Sequence, residues 1–106
     1  MAYVYQVGFD IRPDQMSELQ IGASLERVLG YLRTLLPSQP GHMNSRAFHS
    51  LDMPEHTHII FQSTWQSWSD LEAHRDSSLA ENKVLSEFKP HVALEDLATH
   101  IYEEVD

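Results

Sequence analysis

Apolar and polar positions alternate at the start of the chain. Tyr3, Tyr5, Val7, Phe9 and Ile11 fall on one side, and Val4, Gln6, Gly8 and Asp10 on the other. A period of two over residues 3–12 predicts a strand with one apolar, strongly aromatic face. Pro13 and Asp14 end it, because proline has no N–H to give to a β-ladder. The period then changes. Leu25, Val28, Leu29, Leu32, Leu35 and Leu36 recur at three-and-four spacing, which predicts a helix reaching about Leu36 with one buried stripe. Ser17 and Gln20 stand at the spacing of a capping box for its first turn. Glu26, Arg27 and Arg33 fall outside the stripe, and Gly22 and Gly30, each costly inside a helix, mark candidate points of close packing. Pro37 stops the helix, and residues 38–41 form a loop.

Two strands follow, at residues 42–51 and 56–65, joined by Asp52-Met53-Pro54-Glu55, where proline suits a turn because its φ is already fixed. Thr57, Ile59, Ile60, Phe61 and Thr64 supply the β-branched and aromatic side chains that strands favour. A short helix comes next, with Ser67 or Ser69 as its N-cap and Asp70 and Glu72 near its positive end. Trp68 shares a face with Leu71 and is expected in the core. Ser78 and Glu81 repeat the capping-box spacing and predict a third helix through Val84, Leu85 and Phe88 to Pro90. Residues 98–105 form a last strand.

The order is strand, helix, strand, strand, helices, strand. It defines an α+β fold of the ferredoxin-like type (β-α-β-β-α-β), with an antiparallel sheet and helices on one face only, in one domain spanning residues 1–106. The other face must meet solvent, a ligand or a second subunit. The first strand offers one apolar face, and the third carries Phe61 and Trp65 on one of its own. Counted as two large apolar faces, they predict a homodimer built sheet against sheet. A chain of 106 residues buries only about two-thirds of its unfolded surface, which makes burial against a second copy a natural source of stability.

Charge narrows the function classes. Sixteen acidic residues against seven basic ones give a net charge of −9, and the basic residues are scattered. Nucleic acid and anionic membrane surfaces, which call for clustered Lys and Arg, are not expected partners. There are no cysteines, which excludes disulfides and thiolate metal sites. With neither a basic-then-apolar leader nor a run of ~20 apolar residues, the expected location is the cytoplasm. Glycine-rich phosphate loops, G-x-S-x-G and H-E-x-x-H are absent.

One stretch carries a resemblance. Phe61-Gln62-Ser63-Thr64-Trp65, continuing through Trp68, Leu71-Glu72-Ala73-His74-Arg75 and Asp76-Ser77, resembles the antibiotic-biosynthesis-monooxygenase family of dimeric α/β barrels. Pro13 closing the first strand and Gly41 opening the second are similar to the same pattern. The resemblance implies a homodimer with a mostly apolar cavity in each subunit. It implies either oxygenases that act on electron-rich phenolic substrates without metal or flavin, haem-degrading enzymes, or small isomerases and enzymes of signal metabolism. The haem-degrading group places an Asn on the first strand near where Val7 stands here, which separates this chain from it.

Under that resemblance, His74 is the candidate catalytic residue, a base that removes a phenolic or ring proton so that the substrate anion can pass an electron to O2. The plainer account is that His74 packs the end of its helix. Trp65 and Phe61 are candidate cavity walls, and the indole N–H of Trp65 is available to a substrate oxygen; the other reading of Trp65 is plain core packing. Tyr5 and Phe9 line a pocket if their face points inward, and are ordinary core if it points to the helices; the pattern leaves both open. Arg46 shares a strand face with His42, Asn44 and Phe48, where it holds a substrate anion or pairs with one of the acids. His56 and His58, with His42 or His49, offer imidazoles for zinc, copper or iron, but no carboxylate stands at a diagnostic spacing. The expectation is therefore no metal and no cofactor. The function reads as a cofactor-independent monooxygenase-like protein acting on a small aromatic or quinol-type molecule. The alternative is a non-catalytic dimeric module that binds a small ligand or serves in a stress response.

Overall fold

The computed structural model describes residues 1–93 and 97–105. Strands β1 (Tyr3–Ile11), β2 (His42–His49), β3 (Thr57–Trp65) and β4 (Ala98–Glu103) form one antiparallel sheet in the order β2-β3-β1-β4. Helices α1 (Glu18–Thr34) and α2 (Trp68–Asp76) connect them. This is the ferredoxin-like arrangement, with β1 and β3 at the centre.

Local chemistry explains most of the boundaries. Ser17 accepts from the Gln20 backbone N–H while the Gln20 side chain accepts from the Ser17 N–H, closing the capping box at the start of α1. The helix stops at Thr34, and a 3-10 turn at Leu36–Ser38 holds Pro37. Ser67 caps α2 by accepting from the Asp70 N–H. Gly41 takes a φ of +78°, and a Cβ there would run into the Asp70 carboxylate, so the entry to β2 admits glycine alone.

Five features differ from the sequence expectation. First, the apolar faces of β1 and β3 are one face. Val7 pairs with Phe61, and Tyr3 with Trp65, so both rows point into the same core under the helices. The two-face argument for a dimer counted one surface twice. Second, β2 has an extra residue, Met43, between His42, which pairs with Trp65, and Asn44, which pairs with Thr64. This bulge turns His42 to the helix side and leaves Asn44, Arg46 and Phe48 on the open side. Third, residues 80–90 do not form a regular helix. Ser78 sits at φ 56°, outside the extended geometry of an N-cap, and the chain runs through a π turn (Ala80–Val84) and a 3-10 turn (Leu85–Glu87). The Glu81 side chain lies outside the described residues. Fourth, Gly22 and Gly30 face open space, so neither marks close packing. Fifth, Trp68 is 44% exposed and meets Tyr3 edge-on at 5.8 Å instead of joining the core.

Trp65, Phe88, Ile11, Ile59, Leu71 and Val28 are the largest fully buried side chains. Phe9, Phe61 and Phe88 form a triangle of tilted rings, with centroids 5.0 to 6.1 Å apart, that joins the sheet to the irregular turns. The open face is mixed. A Gln6–Gln62 amide hydrogen bond of 3.1 Å lies across its centre, and Phe48 and Tyr102 are exposed on its outer strands. No helix among the described residues is long and apolar enough to cross a membrane.

Candidate functional site

The inward face of the sheet and the C-terminal half of α1 leave a small cavity between them. Tyr5 and Val7 of β1 and Phe61 of β3 form its floor, Tyr31, Leu32 and Leu35 one wall, and the turns at residues 79–85 the other. Its volume is about 40 Å³. His74, near the end of α2, borders it and is otherwise buried, at 4% exposure.

The imidazole is held on several sides. It stacks on Trp65 with ring centroids 4.5 Å apart and planes 24° from parallel, and Tyr5 meets it edge-on at 6.1 Å. Its Nδ1 lies 2.6 Å from Gln39 Oε1 in the loop after α1. Gln39 Nε2 donates to Ser77 Oγ at 3.1 Å, and Ser77 Oγ donates to the His74 carbonyl at 2.6 Å. Burial, helped by the nearby His42, pushes the His74 pKa down to about 4. His42 is lowered as well, by burial, with a hydrogen bond to the Asn44 backbone acting in the opposite sense. His74 is therefore neutral at ordinary pH.

The sequence candidates separate into groups. His74, Tyr5 and Phe61 come together at the cavity. Trp65 stands behind His74, fully buried, and its indole N–H is spent on Ser63 Oγ at 2.8 Å, so it supports the imidazole instead of lining the cavity. Phe9 packs in the aromatic triangle, away from the cavity wall. Arg46 is exposed on the open face, opposite Gln62, and does not line the cavity. The choice posed for β1, pocket face or helix face, dissolves: the cavity lies under the helices, so Tyr5 serves both. His56 and His58 meet at Asp10 Oδ1, 3.4 and 2.7 Å away, but no group of three or more His, Asp or Glu among the described residues is arranged to hold a metal ion.

Gln39, Tyr31, Leu79 and Lys83 belong to the site and were not singled out from the sequence. Tyr31 carries a hydroxyl, and Lys83 is the one cation in the cavity lining among the described residues. Tyr31 sits one step from the Leu32 stripe, a signal that periodicity contains. Gln39 lies in a loop 35 residues before His74 and carries no local pattern.

A ferredoxin-like sheet with a buried neutral imidazole beside an apolar cavity defines the class. Solved structures agree on the fold. A dimeric ferredoxin-like protein of unknown function from a Jannaschia species matches with a TM-score of 0.68 at 15% identity, covering 96% of this chain and 99% of that one. A candidate antibiotic biosynthesis monooxygenase from Nitrosomonas europaea matches at 0.62 and 18%, covering 98% and 90%. The hydroxynitrile lyase of Passiflora edulis matches at 0.62 and 22%, covering 94% and 91%. At such identities these likenesses show the fold alone, the ferredoxin-like fold that the resemblance implied, and that fold hosts more than one chemistry. No family model matches the sequence, and no curated protein does.

Proposed function

We propose that the protein is a homodimeric, cofactor-independent monooxygenase-like enzyme acting on a small aromatic or quinol-type molecule in the cavity beside His74. The observation that carries this reading is the neutral imidazole at the cavity edge, anchored through Nδ1 and backed by Trp65. Tyr5 and Phe61 supply flat apolar contact for a ring. His74 accepts the acidic proton, the substrate anion passes an electron to O2, and radical and superoxide recombine as a peroxide anion. At an anthrone-type CH2, that anion takes the proton back from His74 to become a hydroperoxide, which loses water to leave the quinone. Dimerisation through the open face is favoured by exposed Phe48 and Tyr102, and by the dimeric state given for the Jannaschia protein.

Two features restrict the substrate. An imidazole pKa of about 4 is a weak base. Taking a proton from a phenol of pKa about 10 would be uphill by roughly 8 kcal/mol, and an unsubstituted quinol is no more acidic. The proposed reaction therefore calls for a quinol or anthrone whose substituents stabilise the anion further. The cavity of about 40 Å³ is also much smaller than the roughly 150 Å³ that admits benzene. Loading a ring requires the wall at residues 79–85 to move, and its π and 3-10 turns suit that better than a regular helix would. The same features favour a second reading, a non-catalytic module whose imidazole only accepts a hydrogen bond from its ligand.

O2 consumption across a panel of quinols and anthrones of graded acidity tests the reading. Turnover that rises as substrate pKa falls, and drops at least about a hundredfold in His74→Ala, is the expected result. Tight binding without turnover selects the module, and unchanged turnover in His74→Ala removes the role given to His74.

A further inference from the structure

His74 is joined to Gln39 and Ser77 in a closed circuit, and donor counting fixes the direction of each bond. The His74 carbonyl can only accept, so the single proton of Ser77 Oγ goes to it at 2.6 Å. Ser77 Oγ is then left with lone pairs, which accept from Gln39 Nε2 at 3.1 Å and from the Leu79 N–H at 3.3 Å. With its NH2 turned to Ser77, the Gln39 amide presents Oε1 to the imidazole at 2.6 Å. An amide oxygen only accepts, so Nδ1 carries the ring proton and Nε2 the lone pair. Nε2 makes no hydrogen bond among the described residues, and no fully buried polar side-chain atom there lacks a partner, so Nε2 keeps some exposure, on a residue that borders the cavity. The circuit joins the loop before β2 to the end of α2, and it turns on an amide where a carboxylate would make the imidazole a stronger base.

We infer that Gln39 and Ser77 are positioning residues that lock His74 as the Nδ1–H tautomer, so that the site presents a neutral acceptor to a ligand O–H or N–H donor. The inference rests on the site reading above, but it concerns the state of the ring and not turnover. A ligand recognised this way is a hydrogen-bond donor at the edge of a flat apolar body, whether or not it is oxidised afterwards. A ligand that offers only acceptors, such as a quinone product, gains nothing from Nε2 and leaves more readily than its quinol.

Nitrogen-15 NMR of the ligand-free protein near pH 7 tests this directly, the His74 signals being assigned by their loss in His74→Gln. The expected spectrum shows a neutral ring with the proton on Nδ1. Gln39→Glu should raise the ring's titration midpoint by about one to three pH units, as an adjacent carboxylate does. Ser77→Ala, a milder change outside the cavity, should let the Gln39 amide turn over and bring in the Nε2–H tautomer. A wild-type ring protonated on Nε2 overturns the inference without any variant, as does a Gln39→Glu protein, folded by circular dichroism, whose midpoint does not move. An Nδ1–H ring in a protein that turns over no quinol would uphold the positioning circuit and remove the oxygenase. Quinol turnover with the opposite tautomer would do the reverse.

Discussion

The two faces of the sheet are built from the same four strands and obey different rules. Under the helices, Ile59, Trp65, Leu71, Val28 and Phe88 are sealed from solvent, and a titratable ring is held there uncharged. On the open side, an amide pair crosses the centre, Asp10 meets His56 and His58, and Phe48 and Tyr102 stand in solvent. The inner face gains from dense packing and excludes charge. The outer face keeps polar groups that can be satisfied by water or by a second surface. Under the proposed function, chemistry that depends on a neutral acceptor belongs inside, and association outside.

Substitutions should divide along that line. The largest effect is expected from Trp65→Ala, which removes the support of His74 and the partner of Ser63. Unfolding in urea should show a loss of about 3–5 kcal/mol. A loss below about 1 kcal/mol would mean that the inner face is not the tightly packed side.

Next comes pH. The folded pKa of His74, about 4, lies below its ordinary 6.5, so between those values the unfolded chain binds more protons than the native one. This contribution is complete above pH 6.5 and is lost as pH falls toward 4, by an amount on the order of 3 kcal/mol. Stability measured from pH 7 to 4 should fall less steeply in His74→Gln than in wild type. Equal slopes would show that the ring is not held neutral by the fold.

The outer face should respond in association instead. Phe48→Lys and Tyr102→Lys are each expected to weaken the proposed dimer about tenfold or more, read by light scattering across a dilution series, with the unfolding free energy of the chain within about 0.5 kcal/mol of wild type. A dimer indifferent to both would move the interface elsewhere. The smallest effect belongs to the exposed side of α1: Gly22→Ala and Gly30→Ala meet open space and should each stabilise by about 0.5–1 kcal/mol in thermal melts.

Within reach of the amino-acid pattern were the elements governed by near neighbours. Alternation placed β1, the Ser17–Gln20 spacing placed the start of α1, and the pair Ser67 and Ser69 placed α2, with the structure choosing Ser67, since each depends on side chains within a few residues of the backbone they satisfy. From those elements the ferredoxin-like order followed, and His74, Tyr5 and Phe61 were named for the cavity they share. Everything decided by pairing across the chain needed the tertiary structure. The register that merged two apolar rows into one core, the Met43 bulge that parted His42 from Arg46, and the left-handed Ser78 that replaced a helix with turns all arise from strand pairing and packing. The protonation state of His74 is of the same kind. Its low pKa comes from burial and from His42, and its orientation from Gln39, 35 residues away; desolvation and hydrogen bonding act through space, and local sequence does not encode which groups folding will bring within reach.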